Sequence, residues 1–360
     1  MKQMKKITAL ALALVLALSF AGCRLQIEKE LATVNGNMVS AGEYKYYLES
    51  IKEQMLAEAG AQDAETFWSG EIDGKNAADV AKERAIEEMI RVEIAVSKAN
   101  EKGITLDSVT ANQIKELVKA TDAQTKAQVD SIKDKTGLSD QGLKTLLEKT
   151  TLASLYAQDV QVSQPEKLEV ADADAEAKYK EDYARVKHIL ILSEKQEEAT
   201  DADDAEATAD PKAVEAEAKV YKAEQKLLAD EVLAKAKAGS NFEALIKEYG
   251  EDPGMESNPD GYVIDKTGAE ATGSGTMVAE FTQGSFSVGV GEITDLVESS
   301  YGWHIIKRYA LPTSGEVYDS AIQNVKNSIM QDKYNELIDS YKADFDIQIN
   351  QKVVDKIKVN

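Results

Sequence analysis

Residues 322–341 set Ile322, Val325, Ile329, Tyr334, Leu337, Ile338 and Tyr341 along one face at a helical period, with a polar outer face. The stretch after Pro312 and Gly315 is therefore an amphipathic helix, and its apolar stripe needs cover, because most helical stability in proteins comes from packing that stripe. The matching surface lies far away in sequence. From Ser40, a candidate N-cap, Tyr44, Tyr47, Leu48, Ile51 and Met55 recur at helical spacing. Residues 77–102 carry Ile86, Met89, Ile90 and Ile94 on one face, and further helices are expected at 106–134 and 138–160, with Pro165 closing the run. Before them, Asn35-Gly36 between Ala32-Thr33-Val34 and Met38-Val39 reads as a small hairpin. These patterns predict one discontinuous all-helical domain, built from 23–178 and completed by a C-terminal helix in 316–360. Whatever lies between must leave that domain and return to it.

The intervening 180–312 has a different texture. Arg185–Leu192 is a β-branched, apolar run that reads as a strand. Residues 212–238 form a long Ala-, Lys- and Glu-rich helix, a short one runs from Asn241 through Tyr249, and a helical turn is expected at Met277–Thr282. Strands at Glu292–Glu298 and Trp303–Ala310 close the region. The fold class is therefore α+β, a small sheet with surrounding helices inserted into a helical domain. An insertion at 194–210 carries eight carboxylates against Lys195 alone, a net of −7, and reads as a solvated loop. It is no calcium loop, since counting from Asp201 or Asp203 puts neither a glycine sixth nor a glutamate twelfth.

The N-terminus is an address. Lys2, Lys5 and Lys6 precede an apolar stretch, Ile7–Phe20, of 14 residues, too short to span a bilayer comfortably. It ends in Phe20-Ala21-Gly22-Cys23, which resembles a bacterial lipobox, so 1–22 is expected to be removed and Cys23 acylated; ordinary signal cleavage leaving a free thiol is the alternative. Loss of three lysines takes the formal charge from −22 to −25. Basic attraction to anionic lipid cannot then hold the protein, whereas two acyl chains can. The expected location is the outer face of the bacterial cytoplasmic membrane. With 42 Lys and Arg against 64 Asp and Glu, nucleic acid is excluded as a partner.

Chemistry is scarce in this chain. A lone cysteine excludes an internal disulfide and a Cys-rich zinc site, and no metal or cofactor is expected. Gly-x-Ser-x-Gly, Ser-x-x-Lys and His-Glu-x-x-His are all absent. What remains is His188 on the first strand of the α/β region and His304 on its last. They are either a functional pair in a groove or two hydrogen-bonded core residues.

Surrounding motifs bear on that choice. Val186-Lys187-His188-Ile189-Leu190, Phe242-Glu243-Ala244-Leu245, Tyr249-Gly250-Glu251-Asp252, Met277-Val278-Ala279-Glu280-Phe281, Gly291-Glu292-Ile293 and Tyr301-Gly302-Trp303-His304-Ile305-Ile306 resemble a parvulin peptidyl-prolyl isomerase in type and order. An exported lipoprotein with a parvulin-like domain inside a helical, chaperone-like one is similar to the PrsA-type foldases of Gram-positive bacteria. The resemblance implies His188 and His304 as paired histidines, Asp252 at a position held by cysteine or aspartate, and Ser299 bonding one histidine. It also implies a proline pocket of Met277, Phe281 and Phe286. The alternative for Asp252 is a turn residue before Pro253, and for the Met/Phe set a helix face packed into the core. Departures from the family are Pro259-Asp260-Gly261-Tyr262 in place of the usual Gly-Asp-Leu-Gly turn, Tyr301 where some members have serine, and the acidic insertion where phosphate-directed members are basic. The implied activity is cofactor-free isomerisation of X-Pro bonds in unfolded, exported polypeptides. The alternatives are a holdase with a weak or inactive parvulin domain and, less well matched, a solute-binding lipoprotein.

Overall fold

The computed structural model describes residues 29–61, 63–195, 211–273 and 275–359. Cys23, the leader before it and residues 196–210 of the acidic insertion lie outside the described residues. The chain divides into two compact units, one of 1–57, 63–169 and 330–360, the other of 58–62 and 170–329.

The first unit opens with β1 (Glu30–Val34) and β2 (Asn37–Ser40), joined by Asn35 and Gly36 at φ 48° and 78°, the left-handed pair a two-residue hairpin requires. Helix α1 (Ala41–Ala59) starts on a reciprocal cap: Glu43 N–H donates to Ser40 Oγ at 3.2 Å, and Ser40 N–H to Glu43 Oε2 at 2.8 Å. Next come α2 (Ala64–Ser69), β3 (Glu71–Ile72) and β4 (Lys75–Asn76), the last two joined by Asp73-Gly74 in a second left-handed turn that the sequence analysis did not flag. Helix α3 (Ala77–Glu101) follows. The helix expected over 106–134 is two, α4 (Ser108–Val118) and α5 (Ala123–Thr136), because Asp122 takes the N–H of Thr125 at 2.9 Å and begins a new helix. Helix α6 (Asp140–Ser163) and a turn, α7 (Pro165–Leu168), complete this part. Pro165 therefore starts an element, at the position where its missing N–H costs nothing.

The second unit contains α8 (Asp172–Asp182), β5 (Tyr183–Leu192), α9 (Pro211–Lys237), α10 (Phe242–Tyr249), α11 (Gly254–Ser257), β6 (Tyr262–Asp265), α12 (Ala279–Ser287), β7 (Val297–Glu298) and β8 (Gly302–Tyr309). Among the described residues its sheet runs β6-β5-β8-β7, with every pairing antiparallel. The strand expected over 292–298 shrinks to β7, apart from an isolated bridge between Ile293 and Lys307. One face of β5 and β8 packs Ile189, Ile191, Trp303 and Ile305 against α9 and α10. The other packs Ala184, Val186 and Ile306 against Phe281 of α12 and Met255.

Helix α13 (Glu316–Ser340) serves both units. Its first half places Ala321 and Val325 in a cluster with Tyr179, Tyr183 and Val263. Its second half, with Leu337 and Ile338, joins the core of the first unit. The expectation that all of 316–360 belongs to the helical domain is thereby corrected: 316–329 groups with the α/β unit. Nor is the C-terminal segment only a helix, because β9 (Ile347–Ile349) pairs antiparallel with β1, and a turn, α14 (Gln351–Val354), follows.

Within the first unit, Arg91 of α3 forks onto Asp339 of α13, with Nε to Oδ1 at 3.0 Å and Nη2 to Oδ2 at 2.7 Å. Ile338 beside it is 1% exposed. Ile338→Ala is expected to lower this unit's stability by about 2–5 kcal/mol. Urea unfolding followed by a probe in that unit, such as Trp68 fluorescence, measures it, and an unchanged midpoint would contradict the packing of α13.

Candidate active site

Antiparallel pairing of β5 with β8 sets His188 opposite Ile306 and His304 opposite Leu190. Positions two apart on a strand share a face, so the two histidines are diagonal neighbours on one side of the sheet. Their rings stack at 25° with centroids 5.3 Å apart, and their Nδ1 atoms are 3.2 Å apart. Each residue is 4% exposed. Phe281 from α12 meets both edge-on, at 4.8 Å from His188 and 5.4 Å from His304.

Beyond the pair, hydrogen bonds run in both directions. His188 Nε2 lies 2.7 Å from Asp252 Oδ2, and His304 Nε2 lies 2.7 Å from Ser299 Oγ. Asp252 Oδ2 also accepts from the Tyr262 hydroxyl at 2.8 Å, and Asp252 Oδ1 from Gly254 N–H at 2.9 Å. Ser299 Oγ accepts from Tyr301 N–H at 3.1 Å. Partial burial works to raise the Asp252 pKa, but the hydrogen bond and charge of His188, with the Gly254 and Tyr262 donors, outweigh it and hold the carboxyl at about 2. Burial, and secondarily His188, push His304 down to about 3 against a smaller opposing pull from Asp252, so this ring is neutral near pH 7.

The ionised Asp252 can only accept, so His188 Nε2 donates. In the tautomer in which His188 carries only that proton, its Nδ1 accepts from His304 Nδ1, His304 Nε2 accepts from Ser299, and Ser299 accepts from Tyr301 N–H. One polarised relay thus runs from a backbone N–H to a carboxylate.

The structure brings His188, His304, Asp252, Ser299 and Phe281 together. Both readings of Asp252 hold at once, since Oδ1 closes the turn over Pro253 while Oδ2 takes the histidine. Phe281 is only 2% exposed, which places it in the core and not at an open wall. Met277 and Phe286 are half-buried in the same apolar cluster, and Phe286 lies under Arg308, 5.5 Å away and four residues along β8 from His304. Tyr262 was missed as a contributor. Its spacing from Asp252 carries no motif, and only the β5–β6 register, which sets it opposite Val186, swings it in. Among the described residues no cluster of metal ligands occurs.

Residues 174–309 match the family described as the PPIC-type PPIASE domain. The chain is 26% identical to the foldase protein PrsA of Caldanaerobacter subterraneus subsp. tengcongensis over 366 residues, 97% of this chain and 98% of that one. It is 26% identical to the foldase protein PrsA 3 of Bacillus anthracis over 68% of this chain and 76% of that one. A crystal structure of the peptidylprolyl isomerase PrsA from Bacillus cereus aligns with 92% of this chain and 94% of its own at 18% identity, with a TM-score of 0.29. A superposition that loose adds nothing to the assignment of the α/β unit, which rests on the domain match. The α/β unit is a parvulin-type peptidyl-prolyl isomerase domain. Along nearly its whole length the chain is similar to the foldase protein PrsA of Caldanaerobacter subterraneus subsp. tengcongensis.

Both shifted groups predict a pH dependence of stability with the same sign. His304 binds a proton more readily unfolded, near its ordinary 6.5, than folded, near 3, so stability is full above 6.5 and is lost as pH falls toward 3. Asp252 adds a lower window, between 3.8 and about 2. Each contributes a slope of at most ~1.4 kcal/mol per pH unit within its window. Chemical denaturation of the α/β unit at a series of pH values measures this, and Asp252→Asn should flatten the lower window while leaving the upper one in place.

Proposed function

We propose that the relay of Asp252, His188, His304 and Ser299 is the catalytic set of this isomerase, and that the apolar cluster beside it receives the proline ring. The continuous hydrogen-bonded path through two buried, stacked histidines carries this reading. Rotation about an X-Pro bond faces a barrier of roughly 18–20 kcal/mol because resonance keeps the amide planar. A dry surface disfavours the charge-separated planar amide, and a fixed polar group beside it stabilises the twisted form, so no covalent step or cofactor is needed. In this scheme Phe281 floors the site beneath the rings, Met277 borders it, and Phe286 extends the apolar cluster toward Arg308.

The domains then divide the work. The helical part, begun at 23–178 and completed from the C-terminal segment, is the chaperone-like body that holds an unfolded client, and 180–312 isomerises the client's X-Pro bonds. The anchor is Cys23, acylated after loss of 1–22. It places the protein on the outer face of the cytoplasmic membrane, where the clients are exported chains. No helix among the described residues is long and apolar enough to cross a membrane.

Isomerisation of an Ala-Pro peptide by the full chain tests the site. Met277→Ala and Ser299→Ala are each expected to lower kcat/KM by about 5- to 150-fold, the range that ~1–3 kcal/mol of lost interaction implies. Phe281→Ala is the poorer probe, since emptying a buried aromatic site costs about 3–5 kcal/mol of stability. No acceleration on any X-Pro peptide, with client aggregation still suppressed, would leave the holdase reading in its place. For the anchor, Cys23→Ser should release the processed protein from membranes in a fractionation experiment, because a charge of −25 offers no second attachment. A processed variant still in the membrane fraction would refute lipidation.

A further inference from the structure

We propose that Tyr262 is a positioning residue for the isomerase site, its hydroxyl pinning the Asp252 carboxylate so that His188 keeps its proton on Nε2. The inference rests on the catalytic set proposed above and extends it by one residue. Among the described residues no Lys or Arg pairs with Asp252, whose ion-pair partner is His188. Its remaining donors are the Tyr262 hydroxyl at 2.8 Å, on the same oxygen as His188, and Gly254 N–H on the other oxygen. Without Tyr262 the carboxylate would be held only by its own turn and by His188 itself, and could shift with the ring. The phenol ties Oδ2 to the sheet independently of His188.

The fold protects this contact. Tyr262 is 7% exposed and held by β6 opposite Val186, with its ring 6.0 Å from that of His188. At Gly254 a Cβ would sit 1.9 Å from the Tyr262 hydroxyl, so no residue with a side chain fits there unless the tyrosine moves off. Burial first, and then the bond to Asp252 and its charge, raise the phenol pKa well above its usual value, so the hydroxyl stays a donor at every physiological pH. The groups that act on the pair are His188 from β5, His304 from β8, Glu270 at the following β-bridge, Asn258 against the phenol and the amide of Gly254. The Gly254 amide already donates to Asp252, on the other oxygen. Since His188 Nδ1 faces His304 Nδ1, and His304 Nε2 in turn faces the Ser299 hydroxyl, one phenol at the edge of the sheet anchors the carboxylate end of the whole relay.

Tyr262→Phe in the full chain tests this with two readouts that a merely structural role would not move. The ¹³C-detected titration of the Asp252 carboxyl should shift upward by roughly one pH unit, the size expected for losing one hydrogen bond to the charged form. Imidazole ¹⁵N spectra should show His188 Nε2–H and His304 Nδ1–H in the parent, and a mixture of tautomers in the variant. With them, kcat on an Ala-Pro peptide should fall about 5- to 20-fold with KM little changed. Gly254→Ala, which keeps the amide but displaces the hydroxyl, should reproduce all three and serves if Tyr262→Phe folds poorly. An unchanged carboxyl titration and tautomer pattern would overturn the proposal, and so would an unchanged kcat alongside altered spectra. If the parent chain itself proved inactive on every X-Pro peptide, the catalytic reading would fall, while the spectra would still decide whether Tyr262 pins Asp252.

Discussion

Antiparallel pairing between β5 and β8 is the constraint on which the site depends. It joins the first strand of the α/β unit to the last across more than a hundred residues, and its register sets His188 opposite Ile306 and His304 opposite Leu190. A slip of one residue would turn one imidazole to the opposite face, into the cluster of Ile189, Ile191 and Trp303. The apolar residues on both faces hold the register, because a shift would expose them. The histidines are thus placed by residues that take no part in the relay.

Burial makes that placement consequential. An unpaired imidazole at 4% exposure is costly, so each ring nitrogen needs a partner, and the four nitrogens find Asp252, each other and Ser299. The ionised carboxylate at one end orders the rest. Its charge is kept by three donors, and without them burial would drive it toward the neutral form. The polarity of the relay is therefore a property of the assembled site and of no single residue in it.

A second buried polar cluster, in the other unit, shows the same logic with a different outcome. Lys149 of α6 bridges Glu43 of α1 at 2.9 Å and Glu93 of α3 at 2.7 Å, with both carboxylates nearly enclosed. Burial raises the Glu93 pKa, but Lys149 answers it directly, and the cluster ties three helices at one level of the core. It fixes helix order.

Much of this protein was legible in its residues. Period-3.6 stripes located α1, α3 and α13, Asn35-Gly36 marked its hairpin, and strand texture located β5 and β8, because these signals depend on neighbours in sequence. The scarcity of other chemistry singled out the histidine pair, and motif resemblance, a different kind of information, supplied its partners. Short signals were overlooked where a longer pattern ran across them: Asp122 splits a helix, and Asp73-Gly74 makes a turn. Other features depend on contacts between distant segments and had no local sign. The pairing of β9 with β1, the division of α13 between two cores, the burial of Phe281 and the reach of Tyr262 to Asp252 are all of this kind. The sequence by itself determined which segments are helix or strand and which faces must be covered, since hydrophobic period and turn chemistry act within a few residues. Only the tertiary structure decided what covers each face and which atom holds each proton, since those follow from strand register and burial between residues that the chain keeps far apart.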